Sequence, residues 1–225
     1  MRSEMRLRRG TTAQREAYTP LESELIHDTD TDTVWIGDGS TAGGLFIGPY
    51  RNFVPGNKSG TYAWATYFGG LFAFNITAAN ILAYVPILIA QPCTLDRLGI
   101  QAWTAGAAGN NARIGLYANE DGRPKDLIVD GGEVDVSTSG IKLVTISEKV
   151  VPGTYWIAVV FEVTGGAQYV LQDAATIQGV NNWTGTSAKN VSSYYHAHTY
   201  GALPSTAGTL TEGTGNALLP FVRIA

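Results

Sequence analysis

Two histidines separated by one residue, His196 and His198, are the first candidates for chemistry in this sequence. In an extended segment, residues two apart lie on the same face, so both imidazoles would point in one direction. Such pairs repeated around a threefold axis would supply six nitrogen ligands, which suits octahedral coordination of a transition metal. Histidines among aromatic residues more often serve packing or surface recognition. We therefore predict no bound metal and no cofactor.

The aromatic residues near these histidines suggest carbohydrate recognition. The apolar C–H faces of sugar rings pack on Trp and Tyr side chains, and Asn181, Asn182 and the histidines could supply hydrogen bonds. The same aromatic residues could instead fill the protein core or a subunit interface, and the sequence leaves that alternative open. The predicted contact residues are Trp183, Tyr194, Tyr195, His196, His198 and Tyr200.

Alternating acidic residues at Asp28, Asp30 and Asp32 imitate the start of a calcium-binding loop. The EF-hand pattern then requires Gly at its sixth position and Glu at its twelfth. Thr33 and Gly39 occupy those positions, so the pattern fails. We interpret the acidic run as the solvated tip of a hairpin.

A second acidic pair, Glu133 and Asp135, raises the possibility of glycan hydrolysis by two carboxylates. The pair flanks Val134 in an ordinary strand pattern and has no third polar partner nearby in sequence. The chain also has no Gly-x-Ser-x-Gly elbow, no phosphate-binding Gly-Lys loop and no His-Glu-x-x-His motif. We therefore predict that the protein is not an enzyme.

The composition predicts that short strands joined by turns must position these residues. Gly accounts for 27 of the 225 residues and charged residues for 15%. Typical soluble domains have about 7% Gly and about 25% charged residues. Strand-like runs recur at intervals of roughly 8–12 residues, as in antiparallel β-sandwiches and jelly rolls. Thr154–Phe161 is the strongest of these runs, and only 12–20 has much helical character.

The chain divides by pattern into a small N-terminal module and a larger β domain. Glu24–His27 and Val34–Ile36 predict a β-hairpin within residues 1–47, and the Gly- and Pro-containing segment 48–60 predicts a linker. Residues 61–225 then form the predicted sandwich. Its apolar stretch Leu71–Ala90 is long enough to raise the question of a transmembrane helix. Asn75, Asn80 and Pro86 interrupt that stretch, which favours strands covered on both faces.

Charge and cysteine content exclude several classes of protein. The formal net charge of −4 and pI near 5.3 do not suit a nucleic-acid-binding protein. Cys93 is the only cysteine, so an internal disulfide is excluded and synthesis in a reducing cytosol is expected. The basic start Met1–Arg6 lacks a following apolar segment, so we predict no secretory signal.

Two sets of sequence blocks carry a resemblance to a known family. The N-terminal blocks, at about 5–46, are Arg6–Thr12, Glu24-Leu25 with Asp28-Thr29, and Gly37–Gly44. The blocks within 61–225 are Tyr84–Pro86, Arg113–Tyr117, Asp126–Ile128, Pro152–Trp156 and Tyr200–Pro204. The first set resembles the N-terminal module of bacteriophage fibre and tropism-determinant proteins, and the second set resembles, more loosely, β-sandwich modules of phage fibre and spike proteins.

The resemblance implies a homotrimeric virion protein, held to the particle by its N-terminus and exposing its C-terminal domain to a host-surface glycan. Its expected partners are its own copies, other virion structural proteins and that glycan, without nucleic acid or membrane insertion. Attachment to the tail or to the capsid stays open. The alternatives are a capsid fibre without a receptor role and a virion-associated glycan hydrolase. Such hydrolases generally have long repetitive β-helices, and this chain has no internal repeat.

The predicted anchoring residues are Arg6, Arg8 and Arg9. Residues 1–15 carry five Arg and one Glu, whereas residues 16–50 carry seven acidic residues and no Lys or Arg. A basic start of this kind could insert into a virion socket by electrostatic attraction. The alternative is an ordinary solvated run of charges.

Overall fold

The structure is a computed structural model. The chain divides into two compact units. The first unit takes Met1–Pro55 and Ala90–Pro92, and the second takes Gly56–Ile89 and Cys93–Ala225. The described residues are 7–47, 60, 62–64, 71–75, 79–162, 168–172, 181–184, 187–190, 193–213 and 217–225. The predicted linker 48–60 lies outside them except for Gly60, and the predicted domain bounds stay a prediction.

The first unit is a four-stranded sheet with one short helix. The strands lie in the order β1-β2-β3-β4, with β1 parallel to β2 and the other pairs antiparallel. The β2–β3 pair is the hairpin that the sequence predicts, with acidic residues at its tip. The elements are β1 (Arg8–Gly10), α1 (Thr12–Glu16), β2 (Leu25–Asp28), β3 (Thr33–Ile36) and β4 (Leu45–Ile47).

Helix α1 is short because a capping box fixes its first turn and little else supports it. The Gln14 amide donates to Thr11 Oγ1 at 3.3 Å, and the Thr11 amide donates to Gln14 Oε1 at 3.0 Å. This reciprocal pair satisfies backbone donors that a helix start leaves free. The cap thereby places Arg15, one residue further on, at the inner side of the helix, where it is 7% exposed.

The second unit contains a six-stranded and a seven-stranded sheet. The six-stranded order is β10-β9-β12-β7-β16-β17. The seven-stranded sheet runs β18-β13-β8-β19-β5, with β11 added beside β8 and β6 beside β13. A separate hairpin pairs β14 with β15. The strands are β5 (Tyr62–Trp64), β6 (Leu71–Asn75), β7 (Ile81–Ile89), β8 (Cys93–Ala102), β9 (Asn111–Glu120), β10 (Arg123–Asp135), β11 (Gly140–Val150), β12 (Gly153–Phe161), β13 (Gln168–Gln172), β14 (Asn181–Thr184), β15 (Ser187–Asn190), β16 (Ser193–Ala197), β17 (Thr211–Gly213), β18 (Ala217–Leu218) and β19 (Phe221–Ile224).

The two larger sheets pack face to face around one apolar core. Alternate residues of β7, β9 and β12 meet those of β8, β11 and β19 there, as the twofold periodicity of strands requires. Ile114 and Ile157 come from the six-stranded sheet, and Ile100 and Val222 from the other, all fully buried. The predicted all-β fold, with an N-terminal hairpin module and an antiparallel sandwich, is confirmed, while the trimer stays a prediction.

A second apolar cluster lies on the opposite face of the six-stranded sheet. Tyr84, Tyr117, Trp156 and Tyr194 are buried there, and Leu203 packs against them. The segment 198–210, which we call the strap, covers this face. Two backbone hydrogen bonds, Leu127 N to Ser205 O and Ala207 N to Lys125 O, form a bridge between Asp126 and Thr206 that fastens it. Side chains fasten it as well, since Tyr117 Oη donates to Pro204 O at 2.7 Å and Asp130 Oδ2 accepts from the Leu203 amide at 3.0 Å.

The uncharged stretch that raised the membrane question forms strands where it is described. Strand β7 sends Val85 and Ile87 into the sandwich core and Leu82 and Tyr84 into the strap-covered cluster. Its two faces are therefore covered within one chain, as the sequence predicted. In the described ranges, no helix is long and apolar enough to cross a membrane.

The close fit of the strap predicts that Gly115→Ala destabilises the fold. An added Cβ at Gly115 would overlap Leu203 Cδ1 and lie 2.8 Å from the Val129 carbonyl oxygen. We expect a loss of about 1–3 kcal/mol in the free energy of unfolding. Denaturant titration followed by tryptophan fluorescence measures it.

Gly153→Ala is the matched control. Its new methyl group meets only Tyr155 Cε2 at 3.9 Å, an ordinary contact. Its free energy of unfolding should stay within about 0.5 kcal/mol of the parent. Equal unfolding midpoints for the two variants would contradict this account of the strap.

Candidate functional site

The N-terminal unit is organised around a buried ion pair. Arg15 Nε donates to Asp28 Oδ2 at 2.8 Å, and the two side chains are 7% and 0% exposed. Thr12 Oγ1 donates to the same carboxylate at 2.9 Å, and the backbone amides of Asp30 and Thr31 donate to Asp28 Oδ1 at 3.1 and 3.3 Å. A buried ion pair is stable only when such additional hydrogen bonds satisfy it.

The pKa of Asp28 reflects these contacts. Burial alone raises the pKa of a carboxyl group, because it disfavours the charged form. The hydrogen bonds from Arg15, Thr12 and the Asp30 amide outweigh burial, so the pKa of Asp28 lies below its ordinary value. Asp28 is therefore ionised at neutral pH and holds Arg15 in place.

Arg15 also connects the helix to the far side of its sheet. Its guanidinium lies 3.7 Å from the centroid of the Trp35 ring, and Nη1 donates to the Gly43 carbonyl oxygen at 3.2 Å. Gly43 has a φ of +80°, and a Cβ there would lie 2.5 Å from Arg15 Nη1. Only glycine combines this backbone conformation with such a close approach.

The predicted anchoring arginines differ in how they are held. Arg8 pairs with Glu24 at 2.8 Å and lies 4.1 Å above the Tyr18 ring centroid. Arg9 is exposed and makes no ion pair within the described part of the chain. Arg6 lies outside the described residues.

A pocket of about 260 Å³ opens beside Arg8 and Arg9. It is lined by Arg8, Arg9, Gly10, Gln14, Arg15, Tyr18 and Ile26.

Residues 5–41 match the family described as "Major tropism determinant N-terminal domain". The match includes both members of the buried ion pair and the Trp35 ring beneath it. The N-terminal module is of the phage tropism-determinant type. The match covers this N-terminal module alone. No curated protein matches the chain.

Outside this tropism-determinant module, the structure separates the predicted receptor contacts. Tyr194 is 2% exposed and lies in the strap-covered cluster, with its ring 5.4 Å from that of Trp156. The prediction that Tyr194 contacts a receptor is therefore wrong, because no ligand reaches it. Tyr195, the next residue in β16, is half-buried. The side chain of Trp183 lies outside the described residues.

His196 has both ring nitrogens engaged within the chain. Nδ1 lies 2.9 Å from the Ala197 carbonyl oxygen, which can only accept, so Nδ1 carries the proton. The Tyr84 hydroxyl then donates to Nε2 at 3.0 Å. The His196 ring therefore lies beside the strap-covered cluster and is hydrogen-bonded to one of its members, Tyr84. The described ranges contain no group of three or more His, Cys, Asp or Glu side chains placed to hold a metal.

His198 and Tyr200 are half-buried at one corner of the sandwich, and each has one buried polar atom. Asn80 holds the backbone here, because its carbonyl oxygen accepts from the His198 amide at 2.8 Å and its Oδ1 accepts from the Tyr200 amide at 2.7 Å. His198 Nε2 and Tyr200 Oη have no hydrogen-bond partner among the described residues. Burial first, and then the charges of Glu133 and Glu162, raise the pKa of Tyr200 to about 12. We call His198, Tyr200, Glu133 and Glu162 the polar corner.

The two carboxylates considered for hydrolysis have separate structural partners. Glu133 pairs with Arg113 at 3.2 Å, and Asp135 accepts from the Ser137 amide at 2.7 Å. Arg113 also pairs with Asp130 at 2.9 Å, and Asp130 in turn accepts from the Leu203 amide of the strap. These contacts fasten β9, β10 and the strap to one another.

Sequence reasoning missed the ion pair. Arg15 and Asp28 are 13 residues apart, and only the packing of α1 beside β2 brings them together; the acidic Asx-type turn at Asp28 was the available signal. Trp103 is 58% exposed in this chain, whereas Trp156 is 1% exposed.

Asp28→Asn is predicted to destabilise the tropism-determinant module. The substitution leaves the buried Arg15 guanidinium without its counter-charge, at a cost of about 3 kcal/mol. Amide hydrogen exchange of residues 25–36 in the full-length protein measures the loss. Asp32→Asn is the control, because Asp32 is 95% exposed and its pair with His27 contributes little. Equal exchange in the two variants would show that the buried pair does not hold the module.

The same pair predicts a pH dependence. A carboxyl group whose folded pKa is lowered stabilises the fold fully above its unfolded pKa of about 3.9, and the stabilisation disappears as pH falls through the folded pKa. Protection factors of residues 25–36, corrected for intrinsic exchange, should therefore fall below about pH 4. The fall should be smaller in Asp28→Asn. An identical acid profile in parent and variant would contradict this assignment.

Proposed function

We propose that this protein is a structural virion protein, a short homotrimeric phage tail fibre or spike. Its N-terminal module attaches to the particle, and its β-sandwich contacts a glycan on the host surface. The observation that carries the proposal is the match of residues 5–41 to the tropism-determinant N-terminal domain. Arg8 and Arg9 are the described anchoring residues, and the sandwich supplies the receptor surface without catalysing a reaction.

The polar corner supports the proposed host contact. His198 and Tyr200 are half-buried, so parts of both rings are accessible, and the charges of Glu133 and Glu162 act on Tyr200. Hydroxyl-rich ligands such as glycans are recognised by aromatic faces combined with a few positioned polar groups. Corner loops of a rigid sandwich are also a common location for binding residues. Tyr195 is the remaining described residue that a ligand could reach beside them.

An exposed apolar pair supports the proposed trimer. Trp103 and Ile141 are 58% and 55% exposed. Ile141 lies opposite Gln101 in the β8–β11 pair, and Trp103 follows two residues after Gln101, so both lie at the same end of the sheet. Apolar surface of this kind favours burial against another protein surface. Burial between identical copies is the arrangement that we propose.

The trimer is tested by sedimentation of the purified protein. We expect a trimer at micromolar concentration, and a trimer association at least tenfold weaker in Trp103→Ser/Ile141→Ser. Leu88→Ser is the matched control, because Leu88 is also exposed, at 42%, but lies near the C-terminal end of β7 and not in the β8–β11 pair. A monomeric parent protein would contradict the proposed assembly, and an intact trimer in the double variant would exclude this pair from the interface.

Host contact is tested by binding of the purified protein to host cells. His198→Ala/Tyr200→Ala should weaken binding at least tenfold, because it removes both of the partly accessible rings. Leu88→Ala is the control, because it truncates an exposed side chain outside the polar corner.

Unchanged binding in the double variant would exclude the polar corner. A parent protein that is present in virions but does not bind cells would instead be a capsid or tail fibre without a receptor role. A reducing-sugar assay on host polysaccharide should detect no product, and product formation would favour the hydrolase alternative.

A further inference from the structure

The pocket beside β1 combines concavity with local positive charge. It has a volume of about 260 Å³, and three of its lining residues are arginines. Their guanidinium groups are not equivalent. Arg15 is buried and engaged by Asp28, Glu16 and Gly43, so its guanidinium group and its charge are already compensated within the chain. Arg8 is held by Glu24. Arg9 is the lining arginine without an ion pair in the described chain.

Strand β1 offers a second means of recognition next to that charge. It pairs with β2 on one side and forms the edge of its sheet among the described strands. An unpaired strand edge can hydrogen-bond to an added extended peptide. Side chains of such a peptide would alternate between its two faces, so one face could reach the pocket.

The charge balance of the module restricts the anion that the pocket can take. Residues 7–47 contain three Arg and seven acidic residues, a formal net charge of −4. A polyanion such as nucleic acid would meet repulsion from most of this surface. A single carboxylate that enters the pocket would meet the arginines instead.

We infer that this pocket receives a single carboxylate side chain from an extended, otherwise uncharged segment of another virion protein, which pairs with Arg9 and lies along β1. The inference rests on the proposed function, because it names the partner chemistry of the proposed attachment. Arg9 is the primary contact, and Arg8, Arg15 and Gln14 line the pocket around it.

The first experiment measures binding of a fluorescent decapeptide of Thr with one central Glu to the full-length protein. Arg9→Glu should weaken binding at least tenfold, as expected for loss of a charge-assisted contact and gain of repulsion. Arg9→Lys should retain binding within about threefold. Arg123→Glu is the matched control, because it makes the same charge change at an exposed arginine of the other unit. Inorganic phosphate at constant ionic strength should not displace the peptide.

The second experiment measures incorporation of the same variants into virions, by immunoblot per particle. Arg9→Glu should be depleted and Arg123→Glu should not. Normal incorporation of Arg9→Glu, or unchanged peptide binding, would overturn the pocket inference and leave the proposed function intact. Displacement of the peptide by phosphate would show that the pocket binds a small anion and not a peptide. A changed sedimentation of Arg9→Glu would identify a second copy of this chain as the occupant of the pocket. Absence of the parent protein from virions would refute the proposed function itself.

Discussion

The buried pair of Arg15 and Asp28 is the interaction on which the N-terminal module depends. Within the described residues 7–47, Ile26 is the only buried aliphatic or aromatic side chain. So small an apolar core cannot by itself offset the conformational entropy lost on folding. The ion pair, its hydrogen bonds from Thr12 and the backbone, and the Trp35 ring supply the contacts that fix α1 against the sheet. They also fix the wall of the basic pocket.

The second unit is stabilised in a different way. Its six-stranded sheet is covered on one face by the other sheet and on the opposite face by the strap. Gly115 leaves room for Leu203, and Tyr117 ties the sheet to Pro204. At one corner, His198 and Tyr200 are half-buried and the charges of Glu133 and Glu162 act on Tyr200. A rigid apolar interior with a polar rim is a suitable framework for a binding surface.

Local patterns were sufficient to predict several elements of this fold. The β2–β3 hairpin followed from two apolar runs around an acidic tip, and β12 followed from its β-branched and aromatic residues. The pairing order of the sandwich did not follow from sequence, because β7 pairs with β12 and β16, which are distant in the chain. Alternation predicts that a strand has two faces, but not which faces are covered. For that reason Tyr194 was assigned to the surface although the strap-covered cluster buries it.

The central claim is that the tropism-determinant module attaches the protein to a virion and directs the sandwich away from it. Electron microscopy of virions that carry gold labels on either the N-terminus or the C-terminus of this protein tests the claim most directly. The account predicts N-terminal gold at the particle surface and C-terminal gold farther from it. Unlabelled particles, or C-terminal gold closer to the particle than N-terminal gold, would contradict it.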